Sequence, residues 1–336
     1  MTWCCSNRRV FTLPVILLAL ASGAAPTAAD GPPPVLSLPV ACDMAKVCSI
    51  QKYFDRAPGP ERLDYRCGRL VTDGHDGTDI RLRRNSDIAR NVPVVAAAPG
   101  MVIATREGMP DIDVTTGRFA IGDRLAGNAV VIDHGGGWVT QYSHLKHGSV
   151  RVARGDAVAA GAMLGAVGMS GNAEFVHLHF EVRRDGKSVD PFSPLSTTGC
   201  AKDERGLWSA SAARQMPYRE AEVVSAGFAS SSDSVQLSRD SLVEIPELVN
   251  PPALLLWGTV TGARPGDVQS FRIMTPNGGV LMDRTSQIGT GGLDWIAFSG
   301  LKRPAEGWKK GSYSGAYSLI RNQKIVGTAT AAVRLP

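Results

Sequence analysis

Long hydrophobic runs are scarce. After residue 29 no stretch approaches the roughly 20 apolar residues that a membrane-spanning helix needs, so the mature chain is expected to have no transmembrane segment. Charge of one sign is scarce too: 36 Lys and Arg against 31 Asp and Glu leave a net charge of +5. Losing Arg8 and Arg9 with the leader described below gives 5 − 2 = +3, which lacks the basic footprint of a nucleic-acid binder. No C-x-x-C pair occurs, and that spacing excludes a cysteine-based zinc site. No helix-length periodic apolar face runs through residues 70–200, and no histidine follows His179. What is plentiful is turn formers, 37 Gly and 21 Pro, beside 43% hydrophobic residues, which together predict a β-rich chain with a sizeable core. At 336 residues two domains are expected.

Residues 1–29 read as a signal peptide. Arg8 and Arg9 precede an apolar run over residues 10–21, which is short for a bilayer and contains Pro14. Thr27, Ala28 and Ala29 then supply small side chains for a signal peptidase, with Gly23, Ala24 and Ala25 as a second candidate. Export to the periplasm or the exterior follows. Of six cysteines, Cys4 and Cys5 leave with the leader, and Cys42, Cys48, Cys67 and Cys200 remain. An even number in an oxidising compartment suggests two disulfides, with three possible pairings. Local closure of Cys42 with Cys48, leaving Cys67 for Cys200, is preferred only weakly.

The remaining chain divides into a cysteine-containing lead-in (30–69), a β domain (70–200), a linker (201–217) and a second β domain (218–336). In the first domain, Asp79 to Leu82 alternates as a strand after the glycine-rich turn that carries His75. Residues 107–127 form a polar insertion, of a length that is often functional and could cover a cleft. Residues 128–144 form a hairpin around Gly135, Gly136 and Gly137. The second domain shows seven or eight short strand patterns with regular turns and is similar to an immunoglobulin-like sandwich. Trp257, Trp295 and Trp308 are expected to pack there rather than to form a ligand platform.

Chemistry concentrates in the stretch Val176-His177-Leu178-His179-Phe180. Alternation makes it a strand, so Leu178 and Phe180 face a core while His177 and His179 project together from the other face. His75, Asp79 and His144 join them as candidates. A catalytic zinc takes three protein ligands and keeps an open position, so five such residues fit three ligands plus two groups for proton transfer and charge stabilisation. His134 and His147 are expected at the surface. Asn128 is expected to close a turn, and Arg183 and Arg184 to form a solvated strand end.

His75-Asp76-Gly77-Thr78-Asp79 resembles the H-x-x-x-D motif of the lysostaphin-type (LytM) zinc peptidases. His177-Leu178-His179 resembles their H-x-H motif, and Tyr142-Ser143-His144-Leu145 the segment with their additional active-site histidine. The resemblance covers about residues 70–195 and keeps the family's motif order. It implies that His75, Asp79 and His179 bind Zn²⁺, with His144 and His177 beside the open position. It further implies an endopeptidase acting on bacterial peptidoglycan, which the secreted location fits. The fold class read for the chain is all-β: an antiparallel LytM-type domain followed by the smaller immunoglobulin-like sandwich, about which, as about the lead-in, the family's motifs say nothing.

Two rival readings are weighed. A catalytically silent relative would bind the wall or activate another wall hydrolase, but such relatives typically lack a zinc ligand, and this chain has every one. The glycine-spaced segment 150–168 also resembles lipoyl or biotinyl carriers, which need a lysine at the hairpin tip. None lies between Lys146 and Lys187. With no histidine of its own, the sandwich is expected to dock on a protein or polysaccharide partner rather than to react.

Overall fold

The computed structural model describes residues 31–112, 121–195, 199–200, 206–243 and 248–336. The leader expected over residues 1–29 and the middle of the 107–127 insertion lie outside the described residues. Strands dominate, as the turn-rich composition predicts. One antiparallel sheet carries β1 (Cys48–Lys52), β2 (Thr78–Leu82), β4 (Gly100–Arg106), β5 (Asn128–Gly135), β6 (Trp138–Leu145), β7 (Ala157–Val158), β9 (His177–Arg184) and β10 (Lys187–Val189). Its order is β1-β2-β9-β6-β5-β4-β7, with β10 paired to β9. A two-stranded sheet joins β3 (Pro93–Val95) to β8 (Met163–Ala166).

Period-two alternation on β9 works as read. Leu178, Phe180 and Val182 are fully buried with Ile80, Leu82, Val130, Ile132 and Tyr142, while His177, His179 and Glu181 take the opposite face. The Tyr142 hydroxyl, sealed in this core, accepts a hydrogen bond from the Ala97 amide at 2.7 Å. The lead-in is built into this core rather than appended to it. Leu36, Val40, Met44 and Tyr53 are buried there, and β1 forms the sheet edge against β2. Both disulfides form, Cys42–Cys48 and Cys67–Cys200. Arg56 and Asp190 lie buried 3.1 Å apart beneath the second of them.

Three elements depart from the sequence expectation. A 3₁₀ helix spans Asn85–Arg90 inside the first β domain. Part of the expected linker is packed: α1 (Ala210–Gln215) and the residues before it bury Leu207, Trp208, Ala212 and Met216 in the first core. An amphipathic i, i+4 pattern at 208, 212 and 216 explains this. In the second domain α2 (Ser232–Asp240) follows a capping box at Ser231 and Ser234, where the sequence reading names no helix. Of the seven or eight strand patterns read in this domain, the one at residues 242–245 is not a strand at 242–243, and residues 244–247 lie outside the described residues.

The C-terminal region has its own core between two antiparallel sheets. One holds β11 (Glu222–Ala229), β12 (Ala253–Ala263) and β15 (Gly292–Lys302). The other orders β14 (Val280–Gln287), β13 (Val268–Met274), β16 (Gly311–Arg321) and β17 (Lys324–Leu335). Val223, Leu254, Leu256 and Val260 from the first sheet meet Phe271, Ile273, Tyr317 and Leu319 from the second. Trp257 is buried, Trp295 donates to the Gln269 side chain at 3.2 Å, and Trp308 donates to the Pro251 carbonyl at 2.8 Å.

This sandwich is anchored to the first domain by cations at the end of β2. Arg83 pairs with Glu222 and donates to the carbonyls of Val223 at 3.2 Å and Val224 at 3.1 Å. Arg84 donates to the Ala226 carbonyl at 3.3 Å, and Asn85 to the Asp240 carbonyl at 3.3 Å.

Candidate metal centre

A groove of about 540 Å³ opens over the polar face of the large sheet. Its floor holds His75, Asp79, His144, His177 and His179, so all five residues singled out by sequence share one site. Lys52, Asp79, His179 and Ser143 lie opposite one another across β1, β2, β9 and β6. Regular pairing would put Gln51 opposite Asp79, but a bulge between Ile50 and Lys52 shifts the register and brings Lys52 there. The Lys52 ammonium lies 3.3 Å from Asp79 Oδ2, a contact that no sequence motif signals.

Asp79 Oδ1 is the hub. It lies 3.0 Å from His75 Nε2, 2.9 Å from His179 Nδ1 and 3.6 Å from His177 Nε2. Ligand atoms of His75, Asp79 and His179 all fall within 4.8 Å of one another, two imidazole nitrogens and one carboxylate oxygen that could hold a divalent ion. Burial alone would raise the Asp79 pKa. The neighbouring imidazoles outweigh it and hold the carboxyl well below its usual range.

Backbone carbonyls fix three of the rings. His75 Nδ1 donates to the Tyr53 carbonyl at 2.7 Å, His144 Nδ1 to that of Ser170 at 2.7 Å, and His177 Nδ1 to that of Phe175 at 2.8 Å. Each ring, when neutral, therefore keeps its lone pair on Nε2. Tyr53, the residue after β1, comes from the lead-in, which explains why that segment belongs to the domain. Burial pushes His144 well below its ordinary pKa and His177 down to about 4, so both are neutral at neutral pH. In the ion-free chain His179 moves the other way: burial would lower it, but hydrogen bonds to Asp76 and Asp79 prevail and raise it to about 10.

His144, the last residue but one of β6, has a left-handed conformation, φ 60°, which is costly for a side chain with a Cβ and typical of functional sites. Two loops clamp it. Its amide donates to the Ala126 carbonyl at 2.8 Å, and its ring to Ser170 as above. The loops touch through Gly127 and Gly171, where a Cβ on either would sit 2.3 Å from the other loop's backbone. The described part of the insertion thus frames the groove, with Leu125 and Ala126 in its wall. Asn128 lies buried behind it, its amide donating to the carbonyls of Met109 and Leu145.

The sandwich also reaches the groove. Leu293 and Asp294 on β15 form part of its wall. Leu293 packs on the first core, and Asp294 lies 3.5 Å from Arg81, which stands opposite His177 on β2. Outside the site, His134 bridges the Pro99 carbonyl and Thr140, and the His147 ring is exposed. Arg183 is tied to Gln141 at 2.8 Å, and Arg184 lies over the Trp138 ring, so neither is simply solvated.

Residues 73–191 match peptidase family M23. The murein hydrolase activator EnvC of Escherichia coli is 37% identical over 94 residues, 27% of this chain and 22% of that protein. The peptidoglycan DD-endopeptidase ShyA of Vibrio cholerae is 29% identical over 153 residues, 42% of this chain and 30% of that protein. The chain thus matches less than a third of either relative's length. Among solved structures, the catalytic domain of the prophage-encoded M23 protein EnpA of Enterococcus faecalis covers 48% of this chain and 95% of its own, at 23% identity and a TM-score of 0.31. Over residues 73–191 the chain therefore carries a peptidase family M23 domain, the lysostaphin-type family that its histidine and aspartate motifs resemble.

Proposed function

We propose that this chain is an exported zinc metalloendopeptidase that hydrolyses peptide bonds in bacterial peptidoglycan. The observation that carries the proposal is the convergence, in one groove, of a three-donor cluster and two neutral imidazoles held by backbone carbonyls. His75, Asp79 and His179 hold the ion. Two neutral nitrogens and one carboxylate suit Zn²⁺ and leave it net positive. The bound ion supplies a Lewis acid and brings the pKa of a water near 7.

The protein's own groups do the rest. His144 and His177 each present an unprotonated Nε2 to the groove, ready to accept a proton from an attacking water. Once protonated, the same nitrogen donates to the oxygen that gains charge as the amide carbonyl is attacked, and later returns the proton to the leaving amine. His177 is packed against Phe175, ring centroids 4.4 Å apart, and the Arg81 guanidinium lies 4.8 Å from the Phe175 ring centroid. That packing keeps water from solvating an imidazolium freely and so favours its return to the neutral form.

The activator reading draws support from the similarity to EnvC. Against it stands the full set of five groove residues. Export rests on the leader pattern, and a wall substrate on the relatives. A protein or polysaccharide partner for the sandwich is retained for its outer surface, since its β15 edge is engaged at the groove. Dye-labelled peptidoglycan tests the main reading: release by the zinc-loaded chain should stop on chelation and return on zinc addition. Release that ignores the chelator would refute it.

A further inference from the structure

Three groove histidines expose Nε2 because a backbone carbonyl holds Nδ1. His179 is reversed. Its Nδ1 faces Asp79 at 2.9 Å, and its Nε2 points away from the donor cluster. On that side the ring edge rests on the turn before β2: a Cβ at Gly77 would lie 2.7 Å from both Nε2 and Cε1. The Nε2 edge is therefore closed to an ion, and Asp76 Oδ1 stands 3.2 Å from Nε2.

We propose that Asp76 is a positioning residue for His179: it accepts a hydrogen bond from Nε2–H and so aims the Nδ1 lone pair at the ion. The inference rests on the ligand role proposed for His179. A ligating imidazole needs an acceptor for its other nitrogen, which fixes the tautomer and the ring plane and makes the donor nitrogen more basic. For His75 a carbonyl does this. For His179 the acceptor is a carboxylate, which adds negative charge behind a site whose three donors contribute a single one. Asp76 is more than half exposed, so its role lies in orientation and basicity and not in core stability.

The test is the Zn²⁺ dissociation constant of the full chain, measured by competition with a chromophoric chelator, for wild type, Asp76→Ala, Asp76→Asn and Asp79→Ala. Asp76→Ala should bind zinc about 10- to 100-fold more weakly. Asp76→Asn, which keeps an acceptor oxygen but loses the charge, should fall between it and wild type. ¹⁵N spectra of the zinc-loaded chain should show His179 protonated on Nε2 in wild type. Asp76→Ala without metal should keep wild-type far-UV circular dichroism and a single cooperative unfolding transition, which separates positioning from misfolding; should that variant not fold, the Asn variant decides. Wild-type zinc affinity in both Asp76 variants would overturn the proposal. Equal affinity in Asp79→Ala, or no zinc binding by wild type, would instead overturn the ligand reading beneath it.

Discussion

Neutral, buried His177 makes a quantitative demand on the stability of the metal-free chain. In the fold its pKa is pushed down to about 4 by burial, against about 6.5 in an unfolded chain. Between those values the unfolded chain binds a proton that the folded chain refuses, so stability is lost as pH falls from 6.5 towards 4. At 1.36 kcal/mol for each tenfold change in the proton equilibrium, the loss reaches about 3 kcal/mol. The raw pH curve mixes it with other groups: His144, also pushed down by burial, adds a loss of the same sign, whereas Asp190 has the opposite sign. Burial raises that carboxyl to about 6 despite Arg56, so the folded chain binds the extra proton and gains about 3 kcal/mol over much the same range. The difference between wild type and His177→Asn isolates the imidazole. Urea unfolding followed by tryptophan fluorescence, in chelator at pH 7.5 and pH 4, gives the four free energies needed. Relative to the variant, wild type should lose about 3 kcal/mol on acidification. A difference independent of pH would mean that His177 titrates normally, and the picture of a dry, neutral base would be wrong.

Other consequences are simpler to check. Tyr142→Phe leaves the Ala97 amide buried without its acceptor and should cost about 1–3 kcal/mol in chemical denaturation, with no change in zinc affinity. Leu293→Ala with Asp294→Ala should raise KM for peptidoglycan fragments while kcat on a short soluble peptide holds, because these residues wall the groove without touching the donor cluster. The Cys67–Cys200 disulfide closes a long loop, 133 residues apart, so its reduction should lower stability by several kcal/mol, about 4.7 for a 100-residue loop in the chain-entropy account. A thermal midpoint unmoved by reductant would contradict that.

Much of the site was legible in sequence because its geometry is local. His177 and His179 share a face by the two-residue period of a strand, and His75 and Asp79 lie on one turn and the strand it feeds. What escaped is what depends on long-range register. Lys52 meets Asp79 through a bulge, a shift that a pattern of apolar residues does not encode. Leu293 and Asp294 reach the groove only because Arg83, Arg84 and Asn85 dock a sandwich that begins well over a hundred residues later. The expected linker hid a short helix whose apolar residues were diluted by Ser and Arg. The serine-rich run at 230–234 signals no helix by periodicity, although these residues form a helix cap. Asp76 was in view inside the motif, but its contact with His179 depends on the turn that Gly77 permits.

The central claim is hydrolysis of a wall peptide bond at the His75, Asp79 and His179 cluster. Its most direct test is mass spectrometry of the soluble fragments after purified peptidoglycan is incubated with zinc-loaded wild type, Asp79→Ala and His144→Ala. The account predicts fragments with a newly freed peptide amine and carboxyl from wild type, and none from either variant. Intact peptides despite one zinc bound per wild-type chain would contradict it and favour the activator reading.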